Sequence, residues 1–246
     1  MQKYGLIGYP LTHSFSQGFF NEKFSSEGID ATYLNFEIPS IKDFHSIIVS
    51  NPELCGLNVT IPYKELVIPY LDELDDTAKE IGAVNVIKFF RDRKRLRLKG
   101  YNSDVIGFSR SIEGHLLEHH RKALILGTGG ASKAVAYALG KMGIEFKYVS
   151  RMPQWGEYSY SDLSAEVMSE YSIIINTTPL GMYPKIDDCP EIPYDLITSN
   201  HLMYDLLYNP NETKFMKIGS EMGATTLNGL EMLLLQAYAA WDIWQK

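Results

Sequence analysis

Four short segments concentrate side chains that can bind and protonate a small polar molecule. They are Gly8-Tyr9-Pro10-Leu11-Thr12-His13-Ser14-Phe15-Ser16, Asn58-Val59-Thr60-Ile61-Pro62-Tyr63-Lys64, Gly82-Ala83-Val84-Asn85 and Gly100-Tyr101-Asn102-Ser103-Asp104. Together they supply hydroxyl and amide groups, one ammonium (Lys64) and one carboxylate (Asp104), a set suited to a molecule with several hydroxyls and a carboxylate of its own. A fifth segment, Gly127-Thr128-Gly129-Gly130, has the composition of a phosphate-binding turn. Gly127 allows the tight turn, Gly129 lets a pyrophosphate approach the backbone, and a helix beginning near Ala131 offers unpaired N–H groups and a positive dipole end. Ser132 takes the third glycine's place in that fingerprint. Farther on, Ser150-Arg151 stands where an acidic residue would select NAD. An arginine there pairs with a 2′-phosphate and favours NADP. Each feature also has a bland reading. Ser14 or Ser16 serves as a helix cap, Asn58 and Asn85 satisfy loop backbone, and Lys64 and Arg151 are solvated charges.

The elements that must position these groups alternate along the chain. Strand patterns at 4–8, 33–38 and 57–61 are separated by a helix at 16–28, which ends in Gly, and by a helix that Ser40 can cap. Pro62 stops the third strand, a helix follows at 75–81, and 83–90 with 96–101 reads as a hairpin around Arg91-Asp92-Arg93-Lys94-Arg95. A connecting helix is expected at 104–120. A second series follows: strand 122–126, the glycine turn, helix 131–142 with Gly143 as its stop, strand 144–149, strands at 171–176, 201–207 and 224–227, and an amphipathic helix at 229–244. The fold class is therefore α/β, with an N-terminal mixed, mostly parallel substrate domain and a Rossmann-type doubly wound dinucleotide domain. In a mostly parallel sheet the polar segments share the crevice beyond the carboxyl ends of the strands.

Bulk composition narrows the class. The 246 residues carry a formal net charge of -7, with 45% hydrophobic and 22% charged residues, as in a globular chain. Negative charge argues against a nucleic-acid partner, and the basic run at 91–95 reads as a solvated hairpin tip. Cys55 and Cys189 lack metal spacing, the six histidines show no ligand pattern, and no metal is expected. Without a signal segment or a membrane-length apolar run, the expected location is the cytoplasm.

In combination the motifs resemble the shikimate dehydrogenase family nearly end to end. The opening Gly, Pro and His-Ser-x-Ser, Asn58 to Lys64, Gly82-Ala83-Val84-Asn85, 100–107, the glycine loop, Asn176-Thr177-Thr178-Pro179-Leu180-Gly181-Met182, and 228–237 occur in family order. The resemblance implies reduction of 3-dehydroshikimate to shikimate with NADPH, in the route to chorismate and aromatic amino acids. It implies Lys64 and Asp104 as catalytic, Ser14 and Ser16 on the substrate carboxylate, and Thr60 and Asn85 around its hydroxyls. Tyr208 and Gln236 would close the site. Gly127, Thr128, Gly129, Gly130 and Ala131 would carry the pyrophosphate, Ser150 and Arg151 the 2′-phosphate, and Leu206 and Gly229 would lie by the nicotinamide. The expected domains are 1–103 for substrate and 104–227 for NADP, with the helix at 228–246 folding back on the first. A monomer and a homodimer both fit. The chain departs from the family at Gln17, Phe20, Val86, Ser103, Ser150 and Met152.

Chemically, Lys64 as an ammonium is expected to protonate the oxygen of the reduced carbonyl, with Asp104 orienting it and bonding a substrate hydroxyl. Three other readings stand beside this one: a quinate or dual shikimate/quinate dehydrogenase, a methylene-tetrahydrofolate dehydrogenase-like enzyme, and a non-catalytic dinucleotide sensor. The joint presence of Lys64 and Asp104 speaks against the sensor.

Overall fold

The computed structural model describes residues 1–11, 14–92 and 95–246. Thr12 and His13 of the first polar segment, and Arg93 and Lys94 of the expected hairpin tip, lie outside the described residues. The chain forms two compact units: Met1–Ser103 with Ala237–Lys246, and Asp104–Gln236.

The first unit contains β1 (Gln2–Gly8), α1 (Phe15–Glu27), β2 (Ala31–Glu37), α2 (Phe44–Ser50), β3 (Leu54–Val59), α3 (Tyr63–Leu66), β4 (Glu73–Leu74), α4 (Asp76–Ile81), β5 (Val86–Asp92) and β6 (Arg95–Tyr101). Its sheet has the order β2-β1-β3-β5-β6-β4 and is mixed. β1 runs parallel to β2 and β3, whereas β5 is antiparallel to both β3 and β6. Local chemistry sets the ends. Ser14 caps α1, which stops at Gly28 in the left-handed region (φ 65). Asp75 caps α4 through the Ala78 N–H.

One face of this sheet buries Ile7, Leu57, Val59 and Ile87. The other buries Tyr4, Leu6 and Val86 together with Phe20, Tyr33 and Trp244. Phe20 stacks on Tyr33 with ring centroids 4.8 Å apart. The Trp244 indole N–H donates to the Ile87 carbonyl at 3.1 Å. It can sit there only because residue 56 is Gly, since a Cβ at that point would run into the indole ring.

The second unit holds α5 (Asp104–Glu113), β7 (Lys122–Leu126), α6 (Gly130–Lys141), β8 (Glu145–Val149), α7 (Ala165–Glu170), β9 (Ile173–Asn176), β10 (Leu202–Asp205), α8 (Lys214–Glu221) and β11 (Thr225–Leu227). α9 (Leu230–Gln245) begins in this unit and ends in the first. The sheet order is β11-β10-β9-β7-β8, parallel throughout. Alternate residues of the same strands feed two cores, Ala123, Ile125, Ile173 and Ile175 on one face and Leu124, Leu126 and Ile174 on the other. Burial on both faces is why these strands read as unbroken apolar runs. Beyond β8, the next strand position is reduced to one parallel bridge, Val149 with Tyr158. With that bridge counted, the arrangement is the doubly wound 3-2-1-4-5-6 order.

Three sequence expectations need correction. The third strand is Leu54–Val59 rather than 57–61, because Thr60 already accepts the Tyr63 N–H in a turn. Residues 83–85 precede β5 as a loop that follows Gly82 in the left-handed region (φ 71). The helix expected over 104–120 stops at Glu113, where Gly114 lowers helix propensity and the chain tightens into bonds from His115 to Ile112 and from Leu116 to Glu113.

Candidate active site

The described residues of the four polar segments that belong to the first unit gather at one edge of its sheet, by a route the sequence did not suggest. Three follow the carboxyl ends of β1, β3 and β6, and Gly82-Ala83-Val84-Asn85 comes before β5. Because β5 is antiparallel, its amino end shares the edge with the carboxyl ends of its neighbours. Backbone bonds tie the segments together: Thr60 N–H to Ile7, Tyr9 N–H to Ile61, Val59 N–H to Asn85, Val84 N–H to Lys64 and Asn85 N–H to Tyr101.

The side chains there are heavily committed. The Ser14 hydroxyl oxygen accepts the Gln17 N–H at 3.3 Å, so the capping role is real. Its hydroxyl hydrogen is not used in that bond. Tyr33, missed by sequence reasoning, donates its hydroxyl to Asn58 Oδ1 at 2.7 Å. Burial pushes the Tyr33 phenol well above its ordinary range, with a hydrogen bond to Ser16 acting the other way, so it stays a donor. Asn58 Nδ2 donates to the Asn85 carbonyl at 3.3 Å. Asn85 in turn accepts the Ser103 N–H at 2.7 Å and donates to the Ser103 hydroxyl at 3.0 Å. The residue immediately before Asp104 is thereby pinned on both its backbone and its side chain. Asn102 Nδ2 donates to the Ala83 carbonyl at 2.9 Å, while its buried Oδ1 meets no protein donor. A buried acceptor of that kind calls for a hydroxyl or a water. Lys64 lies in α3 and is half-buried, and Asp104 opens α5 and is buried.

The residues that set this chain apart are each accommodated. Gln17 accepts from Asn35 Nδ2 at 3.0 Å. Phe20 and Val86 lie fully in the core, and Ser103 is the partner of Asn85.

In the second unit, β7 runs into Gly127 (φ 103), where a Cβ would lie 2.9 Å from Thr177 Oγ1 and 3.1 Å from Thr178 Cγ2. Gly129 caps α6 with extended backbone, and a Cβ there would meet nothing within 4 Å. The turn is thus packed on its sheet side at Gly127 and open at Gly129, where the first N–H groups of α6 have no preceding helical turn to bond. Thr128, Gly130 and Ala131 belong to the same stretch. Ser132 is buried and folds its hydroxyl onto the Gly129 carbonyl at 2.6 Å. These features fit a dinucleotide pyrophosphate. Past β8, the Ser150 hydroxyl accepts the Met152 N–H at 3.2 Å, and Arg151 is exposed.

Leu206 follows β10 directly, and its N–H bonds to the Asn176 carbonyl. The Gly229 N–H donates to Leu207 O at 2.8 Å. Gln236 Nε2 donates to the Leu233 carbonyl at 2.9 Å, and Tyr208 lies at the surface. No group of three or more metal-binding side chains occurs among the described residues. None of their helices is long and apolar enough to cross a membrane.

Comparison with known proteins fits this layout. Residues 6–87 match the model of the shikimate dehydrogenase substrate binding domain. The shikimate dehydrogenase (NADP(+)) of Carboxydothermus hydrogenoformans is 40% identical over 98% of this chain and 90% of its own length. The chain belongs to the shikimate dehydrogenase family. A crystal structure of shikimate dehydrogenase from Aquifex aeolicus superposes with a TM-score of 0.88 at 38% identity, covering 99% of this chain and 92% of that one. The family member from Thermus thermophilus, solved in complex with NADP(H) and shikimate, gives a TM-score of 0.85 at 28% identity over 99% of this chain and 93% of its own.

Proposed function

We propose that this chain is an NADP-dependent shikimate dehydrogenase, interconverting 3-dehydroshikimate and shikimate on the route to chorismate and the aromatic amino acids. The observation that carries this reading is 40% identity to an enzyme of that name over 98% of the chain. The polar edge of the first sheet and the open glycine turn of the second supply the chemistry it needs. In this proposal, residues 1–103 bind substrate and 104–227 bind the dinucleotide.

Reducing a ketone requires one hydride and one proton. The dinucleotide, when bound, supplies the hydride. Lys64 supplies the proton from Nζ to the carbonyl oxygen, and in the oxidative direction its neutral amine takes the proton from the alcohol. Asp104 orients that amine and accepts a hydrogen bond from a substrate hydroxyl. The Ser14 and Ser16 hydroxyls donate to the substrate carboxylate, and Thr60, Asn85, Tyr208 and Gln236 are assigned to its remaining polar groups. Arg151 pairs with the 2′-phosphate, and the Ser150 hydroxyl, whose oxygen accepts the Met152 N–H, donates its hydrogen to the same group.

The test is a rate comparison with shikimate and quinate, each with NADP and NAD. The shikimate–NADP pair should be fastest, and a preference for quinate or for NAD would overturn that part of the assignment. Lys64→Ala should lower kcat by about 10²–10⁴-fold with little change in the KM for shikimate, the span general acid–base catalysis contributes.

A further inference from the structure

We infer that the buried carboxylate of Asp205 is a positioning residue, holding in shape the two loops that leave β9 and β10 and, through them, the dinucleotide site. This inference rests on the NADP reading above.

Leu126, Asn176 and Asp205 are register partners across β7, β9 and β10, and each is the last residue of its strand. Three loops therefore start side by side: the glycine turn, the turn at 177–181, and the loop at 206–208. Asp205 is fully buried beneath them. Its Oδ1 accepts from Asn176 Nδ2 at 3.1 Å and from the Leu207 N–H at 3.0 Å. Its Oδ2 accepts the Thr213 hydroxyl at 2.6 Å. All three donors are neutral, so dipoles alone hold the carboxylate.

The bonds continue outward from there. Asn176 Oδ1 accepts the Thr178 N–H at 3.0 Å and its hydroxyl at 2.7 Å. Thr177 donates its N–H and its hydroxyl to Leu126 O, at 3.0 and 2.6 Å. Thr177 is also the side chain that packs against Gly127. On the other side, the Leu207 peptide is gripped twice, by Asp205 at its N–H and by the Gly229 N–H at its carbonyl. Leu206, Gly229 and the glycine turn are the groups assigned to the cofactor. Removing the carboxylate would strand two or three buried donors directly beneath them. Burial pushes Asp205 up to about 6, while the bonds from Thr213, Leu207 and Asn176 pull it back down.

The experiment titrates NADPH into the full chain by its fluorescence, alongside steady-state KM values for NADP and shikimate and a thermal melt. Asp205→Leu should weaken NADPH binding by about tenfold or more, the cost of leaving buried donors unpaired at the site. The KM for shikimate at saturating NADP should move less than the NADPH affinity, since Tyr208 is the one residue assigned to the substrate that lies on a loop held by Asp205. Asp205→Asn keeps an acceptor for Asn176 and Leu207 and should restore most of the NADPH affinity. Equal loss of both affinities, or a folded Asp205→Leu protein with unchanged NADPH binding, would overturn the inference. If Asp205→Leu does not fold, Thr213→Val decides, because it removes one donor and leaves the carboxylate in place. It should weaken NADPH binding several-fold with a smaller change in the shikimate KM, and no change in NADPH binding would overturn the inference. Wild-type turnover tests the enzyme assignment separately: NADPH binding without oxidation of shikimate would sink that assignment and leave the Asp205 comparison intact.

Discussion

At the scale of single residues, the candidate site makes one side chain serve two purposes. Ser14 accepts from the first turn of α1 through its oxygen, and the function proposed above assigns its hydroxyl hydrogen to the substrate carboxylate. The two purposes separate by substitution. Ser14→Ala removes cap and donor together, so stability should fall by about 1 kcal/mol and the KM for shikimate should rise. Ser14→Asp keeps a good cap but sets a negative charge against a carboxylate substrate. Its melting temperature should stay near that of wild type while the KM rises more than in the alanine variant. Equal KM values in the two variants would remove the carboxylate from the neighbourhood of Ser14. The asparagines tell a similar story. Asn58 and Asn85 do satisfy backbone, as the bland reading had it, and Asn85 in doing so pins Ser103 directly before Asp104. A structural use of a polar side chain is here the means of holding its neighbour.

At the scale of elements, the strand–turn–helix of the second unit behaves differently at its two ends. Gly127 has φ 103 and is packed against Thr177, whereas Gly129 is extended and faces open space. Gly127→Ala should therefore cost about 1–3 kcal/mol of stability through backbone strain. Gly129→Ala should leave the melting temperature nearly unchanged, because nothing in the protein meets the added methyl group. Its effect should appear in binding, as a weaker NADPH affinity, because the methyl would occupy the face that the proposed function assigns to the pyrophosphate. A Gly129→Ala protein with wild-type NADPH affinity would show that the pyrophosphate does not approach that face. In the first unit, β5 is the element that matters. Its antiparallel direction is what brings Gly82-Ala83-Val84-Asn85 to the edge shared by β1, β3 and β6.

At the scale of the whole molecule, two buried titratable groups, His120 and Asp205, contribute to the pH dependence of stability with opposite signs. Burial lowers the pKa of His120, with the neighbouring His119 adding to the effect, and its ring nitrogen bonds to the Asn200 carbonyl. A lowered histidine supports the fold above its unfolded value, near 6.5, and that support is lost as pH falls toward its folded value. Asp205 is raised to about 6, so its contribution is present in acid and is lost as pH rises from its unfolded value through about 6. Melting temperatures of wild type and His120→Gln between pH 7.5 and 5.5 should converge toward acid as wild type loses the histidine contribution. Parallel curves would assign the acid limb to other groups. The sequence alone determined what depends on near neighbours: the glycine turn between strand and helix, a serine cap at Ser14 or Ser16, the Gly28 stop and the apolar runs of a sheet buried on both faces. Those features are decided within a few residues by backbone sterics and side-chain period. Only the tertiary structure decided the rest. Tyr33 reaches Asn58 across 25 residues, and Trp244 reaches Ile87 across 157. The role of Asp205 depends on Asn176 and Thr213 arriving at the same strand ends, 29 residues before it and 8 after. In the sequence that aspartate is one polar letter inside the apolar run 201–207, and only the structure ends the strand at it. A buried carboxylate takes its meaning from the donors around it, and sheet register, set by the packing of whole strands, is what brings those donors together.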